Sequence, residues 1–158
     1  MNLDWLTAVG WWGASALSAS VGFYLLAIAV IDLKTLRIPD YLSLPLVAAG
    51  LALTATGPKE ILADHLIGAG CGFLLVAGLG EIFFRLRNHE GLGLGDAKLF
   101  AAAGAWLGWQ SLPVVMLVAA VGGLCWALTH ARATQIAFGP WIALGFWLCL
   151  QPMLFWPA

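Results

Sequence analysis

The sequence predicts an all-α integral membrane protein of six transmembrane helices with both termini on the extracytoplasmic side, and three observations lead there. Of its 158 residues, 62% are hydrophobic and 9% charged, with a mean hydropathy of +0.93. An ordinary soluble domain is about 45–50% apolar and about a quarter charged, and a chain this small cannot hide such an excess in one core, so lipid must solvate most of these side chains. The apolar residues also run continuously, as in Val21 to Ile31 and Val114 to Leu128. This argues against the alternating strands of about ten residues that a membrane barrel requires, the only other way to satisfy backbone groups in lipid. Finally, at about 20 residues per crossing of a hydrocarbon core about 30 Å thick, the length allows about six crossings.

Charges and Gly/Pro breaks mark those six segments in turn. Met1 to Gly13, with Trp5, Trp11 and Trp12, suits a leading stretch whose indole rings sit at headgroup level. It has no Lys or Arg up to Ser20 and carries Asp4, so it does not read as a secretory leader. Span one, Ala14 to Leu33, runs into the charged string Asp32 to Arg37, and Pro39 sets the break before span two, Tyr41 to Ala55. Span three is Ile61 to Arg85. Span four, Ala97 to Trp109, starts after the glycines 91, 93 and 95; span five is Leu112 to Ala131 and span six Phe138 to Phe155. The second and fourth are short, so they tilt little, thin the bilayer locally or start below its surface. The whole of 1–158 reads as a single polytopic membrane domain, with no internal repeat, soluble second domain or low-complexity tail.

The seven cations orient the helices. Lys34 and Arg37 lie between spans one and two, Arg85, Arg87 and Lys98 around the loop between three and four, and Arg132 between five and six; Lys59 alone falls on the opposite side. By the positive-inside rule the three cation-bearing loops are cytoplasmic. A formal net charge of −1 offers no basic excess for nucleic acid. Cys71, Cys125 and Cys149 stand apart in apolar runs with no C-x-x-C pair, which implies neither zinc site nor disulfide framework and fits small packed residues.

The eight acids carry the functional information, because an ionisable group at membrane depth is costly. Asp4, Glu60 and Asp64 fall near outer span ends, where solvated charge or an N-cap accounts for them, and Glu81 stands one turn before Arg85, the spacing of a helix-surface ion pair, with a substrate-binding role as the alternative. Asp32, Asp40, Glu90 and Asp96 all fall at the cytoplasmic side. Asp32 ends a long apolar run and Asp96 opens span four, so two carboxylates from different helices reach one depth. Each has a structural alternative: Asp96 as an N-cap, Asp32 as an interfacial charge paired with Lys34 or Arg37. Together they allow aspartic-protease chemistry. Two carboxyls sharing one proton in a low-dielectric site supply a base for a water and an acid for the carbonyl it attacks. Gly93 and Gly95 let backbone approach a partner helix or an extended substrate, or simply make a flexible turn; the spacing of a phosphate loop is absent.

Gly93-Leu94-Gly95-Asp96 is a GxGD motif. Its setting, Glu90 to Phe100 followed by Ala103 to Trp109, resembles the second catalytic segment of the type IV prepilin peptidases; Asp32 to Pro39 resembles their first, and Ala137 to Pro140 their last-span signature. The resemblance implies an aspartyl endopeptidase of the bacterial inner membrane that removes the basic leader from type IV prepilins or pseudopilins at the cytoplasmic face. Asp32 and Asp96 are then the catalytic pair, no cofactor or metal is called for, and the substrate is itself a membrane helix that binds laterally. Glu90 and Asp40 are candidates to attract the leader; Lys98, one turn into span four, either tunes the pair or snorkels toward lipid phosphate. Many relatives carry an N-terminal segment with two cysteine pairs linked to zinc and N-methylation, and no such pairs occur here, so neither is implied. Asp40 replaces the Asn common after Ile-Pro. A non-catalytic pilus or secretion component and a small transporter remain the alternatives; a transporter calls for polar residues at midplane, and these span centres are almost wholly apolar. A different GxGD peptidase, of the presenilin or signal-peptide-peptidase kind, is the nearer alternative, but Ile31 stands where those have Tyr before Asp.

Overall fold

The structure is a computed structural model that describes residues 4–87, 93–129 and 137–155, with side chains from residue 10 onward. Six α-helices account for nearly all of it: α1 Asp4–Thr35, α2 Asp40–Thr54, α3 Lys59–Arg87, α4 Leu94–Leu107, α5 Leu112–Thr129 and α6 Gly139–Phe155, with a 3₁₀ turn at Trp109–Ser111 before α5. Each expected span forms a helix within a few residues of its expected bounds. The leading stretch differs: from Asp4 it is already helical and joins α1 across Gly10, whose φ of 64° makes the kink that glycine tolerates.

The helices 10–35, 59–86 and 109–129, the last including the 3₁₀ turn, are long and apolar enough to cross a membrane, and α2 and α6 are shorter apolar helices. Their outward faces carry large apolar side chains, among them Phe23, Leu74 and Leu117, as a lipid-facing surface requires. Helix α4 is different. Its 14 residues rise about 21 Å, short of a hydrocarbon core about 30 Å thick. Every residue from Leu99 to Leu107 is buried, so its alanine-rich run is a core sequence rather than a lipid-facing one.

Around α4 pack α3, α2 and α6, while α1 packs on α6 and α5 on its other side. The α3/α4 crossing is a backbone contact: a Cβ on Gly104 would fall on the Gly68 carbonyl, and one on Gly68 would lie 2.6 Å from the Gly104 carbonyl. Small residues give close helix approach where lipid supplies no hydrophobic drive. Helix α2 is held to α4 by the Trp106 indole, which donates to the Leu46 carbonyl at 2.8 Å and lies over Gly50. Toward the end of the bundle away from Asp32, His65 Nδ1 meets the Ala105 carbonyl at 2.9 Å, and Asp64 accepts from Trp109 Nε1 and Gln110 Nε2 at 3.2 and 3.1 Å. Asp64, expected as solvated charge or cap, therefore ties α3 to the 3₁₀ turn. Helices α1 and α6 run antiparallel, from Trp11 stacked on Phe155 at one end to Asp32 against Gly139 at the other.

Candidate active site

Helix α1 stops at Leu36, whose φ of 53° is left-handed and whose N–H donates to the Asp32 carbonyl at 2.8 Å. That conformation costs a non-glycine residue about 1 kcal/mol or more. It turns the chain sharply, the Thr35 hydroxyl donating to the Arg37 carbonyl, so that Ile38 folds back into the bundle before Pro39 opens α2. Ile38 is buried between two glycines. A Cβ on Gly95 would lie 2.9 Å from Ile38 Cβ, and one on Gly139 would lie 2.9 Å from Ile38 Cδ1.

The two aspartates flank this wedge. Asp32, 4% exposed at the end of α1, accepts a hydrogen bond from the Gly139 N–H at 3.0 Å. The first turn of α6 has free amides to give, and a carboxylate there gains both a donor and the favourable end of the helix dipole. No ion pair joins Asp32 to Lys34 or Arg37 among the described residues. Asp96 is not the N-cap that one reading of the sequence expected. Gly93 holds that position, and Asp96, at N3, accepts from the Gly93 N–H at 3.1 Å. It lies in the first turn of α4, ahead of the apolar run. Its carboxyl is pushed up to about 6, chiefly by burial; the Gly93 amide pulls the other way, and the charge of Asp32 adds to the rise. The two carboxyls are thus electrostatic neighbours, each oriented by a separate backbone amide, with no hydrogen bond directly between them.

Lys98 and Asp40 find each other: Lys98 Nζ donates to Asp40 Oδ1, tying α4 to the start of α2. Of the two readings that the sequence left open for Lys98, tuning the aspartates or snorkelling toward lipid phosphate, this pairing departs from the second. Glu81 and Arg85 pair at 2.7 Å as their spacing predicts, on an exposed face of α3. Glu90 lies outside the described residues. Two residues that sequence reasoning quoted only inside longer strings, Ile38 and Gly139, turn out to shape the site. The available signals were an isoleucine directly before the proline that opens α2 and a glycine directly before the proline of α6.

The profile of the type IV leader peptidase family matches residues 19–128. The prepilin leader peptidase/N-methyltransferase of Pectobacterium carotovorum subsp. carotovorum is 43% identical over 150 residues, covering 91% of this chain and 52% of the relative. Those of Aeromonas hydrophila and Escherichia coli (strain K12) are 41% identical over 149 residues and 42% over 127, covering 90% and 77% of this chain and 51% and 56% of theirs. The chain therefore spans about half the length of the curated relatives it matches. No solved structure matches it. With more than two thirds of its residues inside the family profile, the chain belongs to the type IV leader peptidase family.

Proposed function

We propose that this chain is an aspartyl endopeptidase of the bacterial inner membrane that removes the basic leader from type IV prepilins or pseudopilins, with Asp32 and Asp96 as its catalytic pair. The observation that carries the reading is the convergence of those two carboxyls, from α1 and α4, around Ile38 at one end of the bundle. A pair in which one carboxyl keeps its proton near neutral pH provides both reagents for amide hydrolysis. The ionised aspartate takes a proton from a water as its oxygen attacks the scissile carbonyl; the protonated one gives its proton to the carbonyl oxygen. Collapse of the tetrahedral species then breaks the C–N bond, with a proton passing to the leaving amine. The pair titrates as a unit, and the roles of its members interchange through the cycle.

In the same reading all six helices lie within the bilayer as one membrane unit, span four being residues 97–109. The termini are extracytoplasmic, and the end bearing Lys34, Arg37, Arg85 and Arg87 faces the cytoplasm. That places the aspartates where a leader emerges from a substrate helix. Gly93 and Gly95 set the backbone that presents Asp96, and the Asp40–Lys98 pair fixes α2 against α4 beside it. The test is co-expression with a prepilin, following leader removal by gel shift and N-terminal sequencing. Asp32→Asn and Asp96→Asn are each expected to abolish cleavage while leaving the protein in the membrane at wild-type amount; cleavage at the wild-type rate by either variant removes the assignment.

A further inference from the structure

Both helices that bear the aspartates reach for the first turn of α2. From α1, the Tyr24 hydroxyl donates to the Leu42 carbonyl at 3.0 Å. From α4, Lys98 Nζ donates to Asp40 Oδ1. Asp40 and Leu42 are the first and third residues of α2, directly after the Ile38-Pro39 turn. Among the described residues no hydrogen bond runs directly between α1 and α4. The start of α2 thus bridges the two helices, and it continues backward into the Ile38 side chain that packs between Gly95 and Gly139.

The Asp40–Lys98 pair is poorly placed to stabilise the fold. Its side chains are 60% and 24% exposed, and a pair so open adds little to stability. The body of α2 is fixed to α4 separately, by the Trp106 indole on the Leu46 carbonyl and over Gly50. Breaking the ion pair therefore frees the first turn of α2, and Ile38 with it, while the helix stays seated. Lys98 also stands two residues after Asp96, a spacing at which side chains leave a helix in different directions, and its ammonium meets α2 rather than the Asp96 carboxyl. What the pair holds is the geometry on either side of Ile38.

We propose that Tyr24, Asp40 and Lys98 are positioning residues: they hold the start of α2 as a strut between α1 and α4, so that the Ile38 wedge sets the separation of Asp32 and Asp96. The consequence for catalysis rests on the peptidase reading above. Cleavage of a prepilin by the full chain in liposomes gives kcat and KM separately. Lys98→Met is expected to lower kcat about tenfold and to leave KM within about twofold, because displacing a reacting group costs rate rather than binding. Asp40→Asn should lose a similar amount, and the double variant no more than either single one, as for two residues that act as a unit. Lys98→Arg, which keeps the cation, should recover most of the loss, and Tyr24→Phe, which removes only a hydroxyl, should lower kcat about threefold. The midpoint of thermal unfolding in detergent should stay close to wild type throughout. The spacing of the helices is read without any cleavage. With Cys71, Cys125 and Cys149 replaced by alanine, spin labels at Leu33→Cys and Leu94→Cys, both exposed positions, report the distance between α1 and α4, and Lys98→Met should widen its distribution. An unchanged distribution overturns the strut. So does a loss of kcat in Lys98→Met that Asp40→Asn does not share, or losses that add in the double variant, since the lysine would then act on the site by itself. A wild-type chain that cleaves no prepilin takes down the peptidase reading, and the label distances then decide the strut alone.

Discussion

Asp32 has nowhere to move if residue 139 gains a methyl group. A Cβ there would sit 2.7 Å from Asp32 Oδ2 and 2.9 Å from Ile38 Cδ1, and both neighbours are buried. Gly95 is similarly closed, since its added Cβ would meet Ile38 backbone atoms at 3.2 Å. Gly93 is open: its φ of −80° suits any residue, and the nearest atom to an added Cβ is Asp96 Oδ2 at an ordinary 3.7 Å. The three glycines should therefore separate on substitution by alanine. Gly139→Ala and Gly95→Ala are expected to lower the rate of leader cleavage by about ten- to a hundredfold, the scale of misplacing a reacting group by a fraction of an ångström to an ångström. Gly93→Ala should stay within about threefold of wild type. Initial rates, with circular dichroism to verify that each variant is folded, check this; equal losses at Gly93 and Gly95 would contradict it.

Helices α3 and α4 touch through backbone at Gly68 and Gly104, and this contact sets where the first turn of α4, and with it Asp96, lies. Gly104→Val puts three carbons where the Gly68 carbonyl already is. Neither backbone can yield locally, so the expected cost is about 3 kcal/mol or more, above the usual range for overpacking, seen as a fall of several degrees in the midpoint of thermal unfolding in detergent. Gly78→Val, at a position on α3 open to its surroundings, is the control and should be close to neutral. At this scale the sequence was most readable. Long apolar runs broken by charge or Gly/Pro placed all six helices, because hydrophobic continuity and helix breakers act locally. What it hid was the burial of α4, since an alanine-rich run looks the same whether lipid or protein surrounds it. It also hid the pairing of Lys98 with Asp40, 58 positions apart, and the folding of Ile38 between two glycines, which are facts of tertiary approach. The aspartates themselves were legible because charge is so scarce in this chain; the amides that hold them were not, because every residue but proline has one.

At the scale of the molecule, charge is sorted between the two ends: Lys34, Arg37, Arg85, Arg87 and Lys98 lie toward the Asp32 end, and Lys59 toward the other. The sidedness this implies predicts a labelling pattern. In intact cells permeabilised only at the outer membrane, Thr56→Cys, in the exposed α2–α3 connection, should react with a membrane-impermeant maleimide, and Lys34→Cys should react only after lysis. The reverse pattern would invert the topology and place the aspartates on the wrong face for a cytoplasmic leader. The family profile ends at residue 128, before α6, yet α6 supplies the amide that holds Asp32 and packs against both α1 and α4. Asp32 and Asp96 are translated early, but their cradle depends on the last of the described helices. A nascent chain therefore holds both acids before α6 has supplied the amide that fixes the first of them. On the peptidase reading proposed above, the site is complete only once α6 has seated against α1.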